Sequence, residues 1–177
     1  MNELPFEREV RIELLLASPV HRYDGRPADG PLPYDGEESR EAIELRAGLG
    51  IVGDRFFAKK AHARASVTVM AAESLDAITR ELGLSAVPDP VAARRNILIR
   101  GVDIDAMRHA TFSLDSGDGP VVFVANRPAN PCAWMNVMLA PGAHKALRHR
   151  GGMRCEPLTD GVLRLGTALL RSSVAFP

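Results

Sequence analysis

Two cysteines, Cys132 and Cys155, are the strongest candidates for chemistry in this sequence, and their neighbours differ. Cys132 follows Pro131 and opens the run CAWMNVML, whose apolar spacing predicts a helix, and Arg127 lies a little upstream. Sulfur transfer and ligation of a soft metal both require a thiolate. A thiol ionises more readily beside cations or at a helix N-terminus, and proline suits the position before a helix because it has no N–H to leave unpaired. The competing reading is a cysteine packed among apolar side chains, which would be inert. Cys155 alternates with Arg154 and Glu156 in a predicted strand, on the side of Met153, and reads as core filling.

Arginines supply the second set of candidates. Arg94, Arg95 and Asn96 lead from Asp89-Pro90 into a predicted strand. The planar guanidinium suits bidentate phosphate binding, whereas an exposed pair of arginines could equally be solvated surface. Arg55 follows Asp54 in a glycine-rich segment. Asp54 is a poor phosphate ligand, so its expected part is to orient Arg55 or a backbone amide. The cluster His144, Lys145, Arg148, His149 and Arg150 could line an anion site, but a solvated face is the plainer expectation. His62, His144, His149 and the cysteines match no spacing typical of structural zinc.

Gly48, Gly50 and Gly53 spell GxGxxG, the fingerprint of a dinucleotide-binding turn. The context argues against that use. The preceding SREAIELRA is too polar for a buried parallel strand, and no second βαβ half follows. A plain glycine turn presenting Asp54 and Arg55 is expected, although residues 56–65 could be helical.

The elements that must position these side chains are short. Strands are expected at residues 10–17, 66–71, 96–100, 111–114, 121–125, 153–158, 162–165 and 168–175, and a helix at 73–82 ending at Gly83. Helical pattern returns between Cys132 and Arg148, interrupted by Pro141-Gly142. Ser116–Gly119 and Asp160-Gly161 read as hairpin turns, and residues 24–36 as a surface loop. Many short strands with few helices predict a mainly β fold, a barrel or sandwich, in one domain spanning residues 1–177 with its core at about 10–172.

Composition sets the outer limits. At 177 residues, with 46% hydrophobic and 25% charged residues, the chain can bury a core without disulfide staples. Lys plus Arg and Asp plus Glu both count 22, and a net charge of zero argues against general nucleic-acid binding. The opening MNELPFEREV lacks the layout of a signal peptide, and no apolar run approaches the length of a membrane span. A cytoplasmic protein without a membrane or nucleic-acid partner is expected.

Four segments in register resemble the MOSC domain family (molybdenum cofactor sulfurase C-terminal domain). They are Ala47-Gly48 through Gly50-Ile51-Val52-Gly53-Asp54-Arg55; Arg95-Asn96-Ile97-Leu98-Ile99 with Gly101; Pro131-Cys132; and Pro141-Gly142 with Arg150-Gly151-Gly152, Asp160-Gly161 and Leu165-Gly166. The resemblance implies a β-barrel carrying a few short helices. It implies Cys132 as persulfide carrier or molybdenum ligand, and a molybdenum cofactor (molybdopterin) for which Asp54, Arg55, Arg95 and Asn96 lie in the matched motifs; Arg94 and Arg127 join them as cofactor-binding candidates by their charge and position. The implied activities are sulfur transfer or a molybdenum-dependent reduction of N-hydroxylated compounds, with a redox or sulfur-donor protein as partner and, at family level, an association with pyridoxal phosphate. The sequence departs from the family at Phe56, where a His is usual, at Gly166-Thr167, where Gly-Asp is common, and at Ala65-Ser66-Val67. These departures leave a second expectation open, a binding module that has kept the barrel and lost the chemistry, in which Cys132 would be buried and unreactive.

Overall fold

The computed structural model describes residues 3–177. The first two residues of the opening stretch, and of the expected 1–177 domain, lie outside them. Seven strands close into a barrel: β1 (Phe6–Leu15), β4 (Val67–Ala71), β5 (Ile97–Arg100), β6 (Thr111–Asp115), β7 (Val121–Pro128), β8 (Met153–Pro157) and β10 (Gly166–Ser172), in the order β1-β10-β6-β7-β8-β4-β5. The expected barrel, mainly β with short helices, is what forms. Closure removes the free strand edges that an open sheet would expose.

Alternation explains the lining. Val10, Ile12, Leu114, Phe123, Met153 and Leu170 point inward from successive strands, and Phe112 stacks on Phe123 with ring centroids 5.2 Å apart. The β4–β5 pair runs parallel, so its connection must cross over. Helix α1 (Ala72–Glu81) makes that crossing and lays Leu75 and Ile78 against the outer wall. Two shorter helices, α2 (Trp134–Met138) and α3 (Ala143–Ala146), bury Trp134, Met135 and Ala146 in the same outer cluster.

Several expectations are corrected. The SREAIELRA stretch holds strand β2 (Ala42–Arg46), antiparallel to β3 (Gly50–Ile51) and to β9 (Gly161–Arg164) in a separate three-stranded sheet. Its polarity reflects one wet face: Ile43 and Leu45 are buried, Glu44 and Arg46 exposed. The Asp160-Gly161 turn does not make a hairpin, because β8 pairs with β4 and β7 while β9 leaves the barrel for β2. The Ser116–Gly119 turn does join a hairpin, β6 with β7. Of residues 56–65, only Lys60–Ala65 form a helical turn, of 3-10 type. The last strand begins and ends earlier than expected, at Gly166 and Ser172. The helix expected to open at Cys132 is only five residues long and starts two residues later, so a helix dipole gives no account of this thiol.

Among the described residues no helix is long and apolar enough to cross a membrane.

Candidate functional site

Cys132 lies in the loop between β7 and α2, exposed to solvent, with its carbonyl accepting from the Met135 amide at 2.9 Å. It stands on the rim of a cleft of about 250 Å³ that also reaches Arg55, Arg94, Arg95, Arg154, Tyr23 and Trp134. A larger cleft, about 540 Å³, lies elsewhere between α1, Gly101 and Arg150 and is lined by no cysteine.

Next to Arg55 and Thr68, which line the Cys132 cleft, lies a polar lock between two of the sequence motifs. Asp54 is buried and accepts from the Ser18 amide at 3.2 Å, the Phe56 amide at 3.0 Å and Asn96 Nδ2 at 3.2 Å. Asn96 Oδ1 in turn accepts from the Thr68 amide and hydroxyl, both at 2.9 Å, and Asn96 Nδ2 also donates to the Leu16 carbonyl. Buried polar groups satisfied in this way hold a structure without offering donors to a ligand. Asp54 therefore does what its chemistry suggested, fixing backbone amides and Arg55. Asn96, expected to meet a cofactor, instead ties β4 and β5 to the glycine turn.

The four arginines of the region have unlike environments. Arg95 donates from Nε to the Gly151 carbonyl at 2.8 Å, from Nη1 to Ala93 at 3.0 Å and from Nη2 to Ala129 at 2.9 Å. Burial, followed by the charge of Arg154, lowers its proton affinity to about 10. A guanidinium with three of its five donors committed to carbonyls is a brace beside Cys132, with two donors left for the phosphate contact expected of it. Arg94 is the opposite case. Its backbone takes a left-handed φ of 55°, uncommon outside glycine, and its side chain is 6% exposed with Nη1 2.8 Å from Glu38 Oε2. That contact is an ion pair without hydrogen-bond alignment, which leaves Nη2 buried with no partner and Nη1 with Glu38 alone. A buried donor without an acceptor is costly, and an anion entering the cleft would relieve it. Arg55 is intermediate: Nη1 lies 3.5 Å from Asp54 Oδ2, the guanidinium sits 4.7 Å from the Phe56 ring centroid, and Nε is buried without a partner.

Arg127, expected near Cys132, is exposed on β7 and lines a neighbouring cleft instead. Its place beside the thiol is taken by Arg154, the residue opposite it on β8. A negative charge on Cys132 attracts both Arg95 and Arg154, raising their proton affinity against the lowering effect of burial. Of the expected basic cluster, His144, Arg148 and His149 border a separate small cleft, and Arg150 lies 3.5 Å from Glu81.

Three aromatic groups of the cleft carried no signal in the sequence. Tyr23, just ahead of the segment read as a surface loop, stacks on Trp134 at 4.8 Å with 7° between planes, and its hydroxyl donates to the Ala92 carbonyl at 2.6 Å. Burial pushes the Tyr23 phenol up to about 12. His21 meets Phe56 edge-on at 6.0 Å; partial burial, then the charge of Arg55, shift its imidazole toward the neutral form. Arg154 alone could have been found, since it alternates with the core residues Met153 and Cys155 and so faces out of the barrel.

A family model described as the MOSC domain matches residues 53–169, about two thirds of the chain. The match begins at Gly53, so it takes in Asp54-Arg55, the RRN segment, Cys132 and Gly166-Thr167, but not Ala47–Val52. Among solved structures, the YuaD protein from Bacillus subtilis superposes with a TM-score of 0.72 at 14% identity, covering 96% of this chain and 98% of that one. YiiM from Escherichia coli gives 0.60 at 15% identity, over 93% and 70% of the two chains, and YiiM from Geobacillus stearothermophilus 0.58 at 11%, over 92% and 74%. At such identities the likeness speaks for the fold. No curated protein sequence matches significantly.

Proposed function

The chain belongs to the MOSC domain family, and from that premise we propose that it handles a molybdenum–pterin species, with Cys132 as the sulfur that meets it. The observation that carries this reading is the presence in one cleft of an exposed thiol and a buried guanidinium, Arg94, whose Nη2 has no hydrogen-bond partner and whose Nη1 meets only the Glu38 carboxylate as an ion pair. A cleft built only for packing has no reason to keep such a donor unsatisfied.

Molybdopterin fits the residues present. Its phosphate would be held by Arg94 and Arg55, whose N–H groups point to an anion of that kind, and its molybdenum is soft enough to accept a thiolate. When bound, the group supplies a metal centre able to change oxidation state and exchange a sulfur or oxygen ligand. The chain's own residues do the rest. Asp54 and Asn96 fix the segments that carry Arg55 and Thr68, Arg95 braces the loop carrying Cys132, and the stacked Tyr23–Trp134 pair walls one side. As a carrier, Cys132 thiolate attacks the terminal sulfur of a donor persulfide. The donor's S–S bond breaks, the donor leaves as a thiolate, and Cys132 holds the sulfur as a persulfide with no net oxidation.

The alternative, a barrel that has lost its chemistry, requires a buried Cys132, and the exposure of the thiol weighs against it.

The test is metal analysis and intact-mass spectrometry of protein made in a host able to synthesise the cofactor. Stoichiometric molybdenum lost in Cys132→Ser supports ligation, and a 32 Da adduct on Cys132 that moves to an acceptor thiol supports the carrier (the mass of one sulfur atom, about 32 Da). Protein with neither, together with a Cys132 unreactive to donor persulfide, overturns the proposal.

A further inference from the structure

Strand β7 carries a bulge that decides which side chains face each other across the barrel wall. Between Ala125 and Arg127 its register with β8 shifts, so that Ala125 opposes Cys155 but Arg127, rather than Asn126, opposes Arg154. Bulges re-aim side chains and are over-represented beside active sites. Here the result is two like charges directly across an antiparallel pair, an arrangement that costs stability. The cost is visible at Arg154, whose proton affinity is lowered first by burial and next by the charge of Arg127.

Asn126, released from the ladder, exchanges hydrogen bonds with Arg64. Its Nδ2 donates to the Arg64 carbonyl at 2.8 Å, and its Oδ1 accepts from Arg64 Nη2 at 3.3 Å. Arg64 and Arg127 line a cleft of about 380 Å³ together with Lys60. Among the described residues, none of these three cations, nor Arg154, has a carboxylate within ion-pair distance. Arg154 lines the Cys132 cleft on its other side. Two cations, Arg127 of the second cleft and Arg154 of the first, thus stand opposite each other across β7 and β8.

We propose that this second cleft is an anion subsite for the diphosphate-class portion of an elongated ligand whose reactive end reaches Cys132. Plain solvation accounts for scattered surface cations, but not for a bulge that sets two of them face to face while an asparagine clamps a third beside them. An anion held between Arg127 and Arg64 offsets the charge that Arg127 sets against Arg154, and guanidinium forks suit phosphate oxygens. The inference rests on the Cys132 reading only for the direction in which the ligand runs.

The experiment is titration calorimetry of the full chain with inorganic pyrophosphate at constant ionic strength, with sulfate as the competing simple anion. Pyrophosphate should bind, and Arg127→Gln and Arg64→Gln should each weaken it about tenfold or more. Arg80→Gln, in the distant large cleft, should leave it unchanged. Lys60→Gln gives an independent reading should either arginine variant fail to fold. Absence of pyrophosphate binding, equal binding by sulfate, or unchanged affinity in the cleft variants overturns the proposal. Cys132→Ser should bind pyrophosphate like the parent. Parent protein that binds pyrophosphate but carries neither persulfide nor molybdenum would therefore overturn the earlier reading and leave this one standing.

Discussion

Cys132 lies at the surface after β7, with the guanidiniums of Arg95 and Arg154 as its charged neighbours, whereas Cys155 lies within the barrel on β8. The Cys155 sulfur is fully buried and has only the Met153 carbonyl at 3.7 Å for company, and burial pushes its thiol far up. The two share a side chain and differ in everything that sets reactivity. A thiolate needs water or a cation to stabilise it, and the interior offers neither. The contrast extends to the arginines behind Cys132, where Arg95 is a satisfied brace and Arg94 an unsatisfied donor. Function in this molecule is read from what a group lacks as much as from what it touches.

Alkylation is the severest way to break the comparison. Iodoacetamide should modify Cys132 in the native protein at least about a hundredfold faster than Cys155, the two converging only in denaturant. Peptide mapping that finds Cys155 labelled first would end it. The next effect is on stability. Arg95→Met should cost about 3 kcal/mol in urea unfolding, since three carbonyls lose their donor; an unchanged midpoint would mean that Arg95 is no brace. Cys155→Ser should cost about 1–3 kcal/mol by burying a hydroxyl with poor partners, whereas Cys132→Ser should stay within about 0.5 kcal/mol of the parent. Equal losses would erase the distinction between rim and core.

The smallest effect concerns Asp105, which accepts from the Gly152 amide at 2.9 Å and has its other oxygen buried without a partner. Burial pushes this carboxyl up to about 6. The folded chain thus favours its neutral form, and the associated stability is present below the ordinary carboxylate range and lost as pH rises through about 6. Asp105→Asn should melt on the order of 3 °C above the parent near neutral pH, with the gap closing toward about pH 4. A gap that is constant with pH would place the effect elsewhere than in ionisation.

The barrel was legible in the sequence because inward and outward residues alternate along β6, β7 and β8, and the Ser116–Gly119 turn has the chemistry of a hairpin. β2 was harder to see, as a strand with one wet face spells a polar run. The separation of β8 from β9 was invisible, since a turn residue says that the chain reverses but not which partner it then finds. At the site, Cys132, Asp54 and Arg55 could be picked out by type and context. Tyr23 and Trp134 could not be paired from a sequence in which they lie far apart, in a loop and a short helix.

Residue chemistry and local spacing determined, by themselves, a β-rich chain with one candidate reactive thiol, one core thiol and a set of arginines near motif glycines. Only the tertiary structure decided which arginine keeps donors without a hydrogen-bond partner. Arg94 and Arg95 are adjacent in the chain, yet one reaches three carbonyls brought in from Ala93, Ala129 and Gly151 while the other turns, at a left-handed φ, into the cleft. Hydrogen-bond satisfaction depends on groups that meet through closure of the barrel, and no local pattern encodes which carbonyl will arrive.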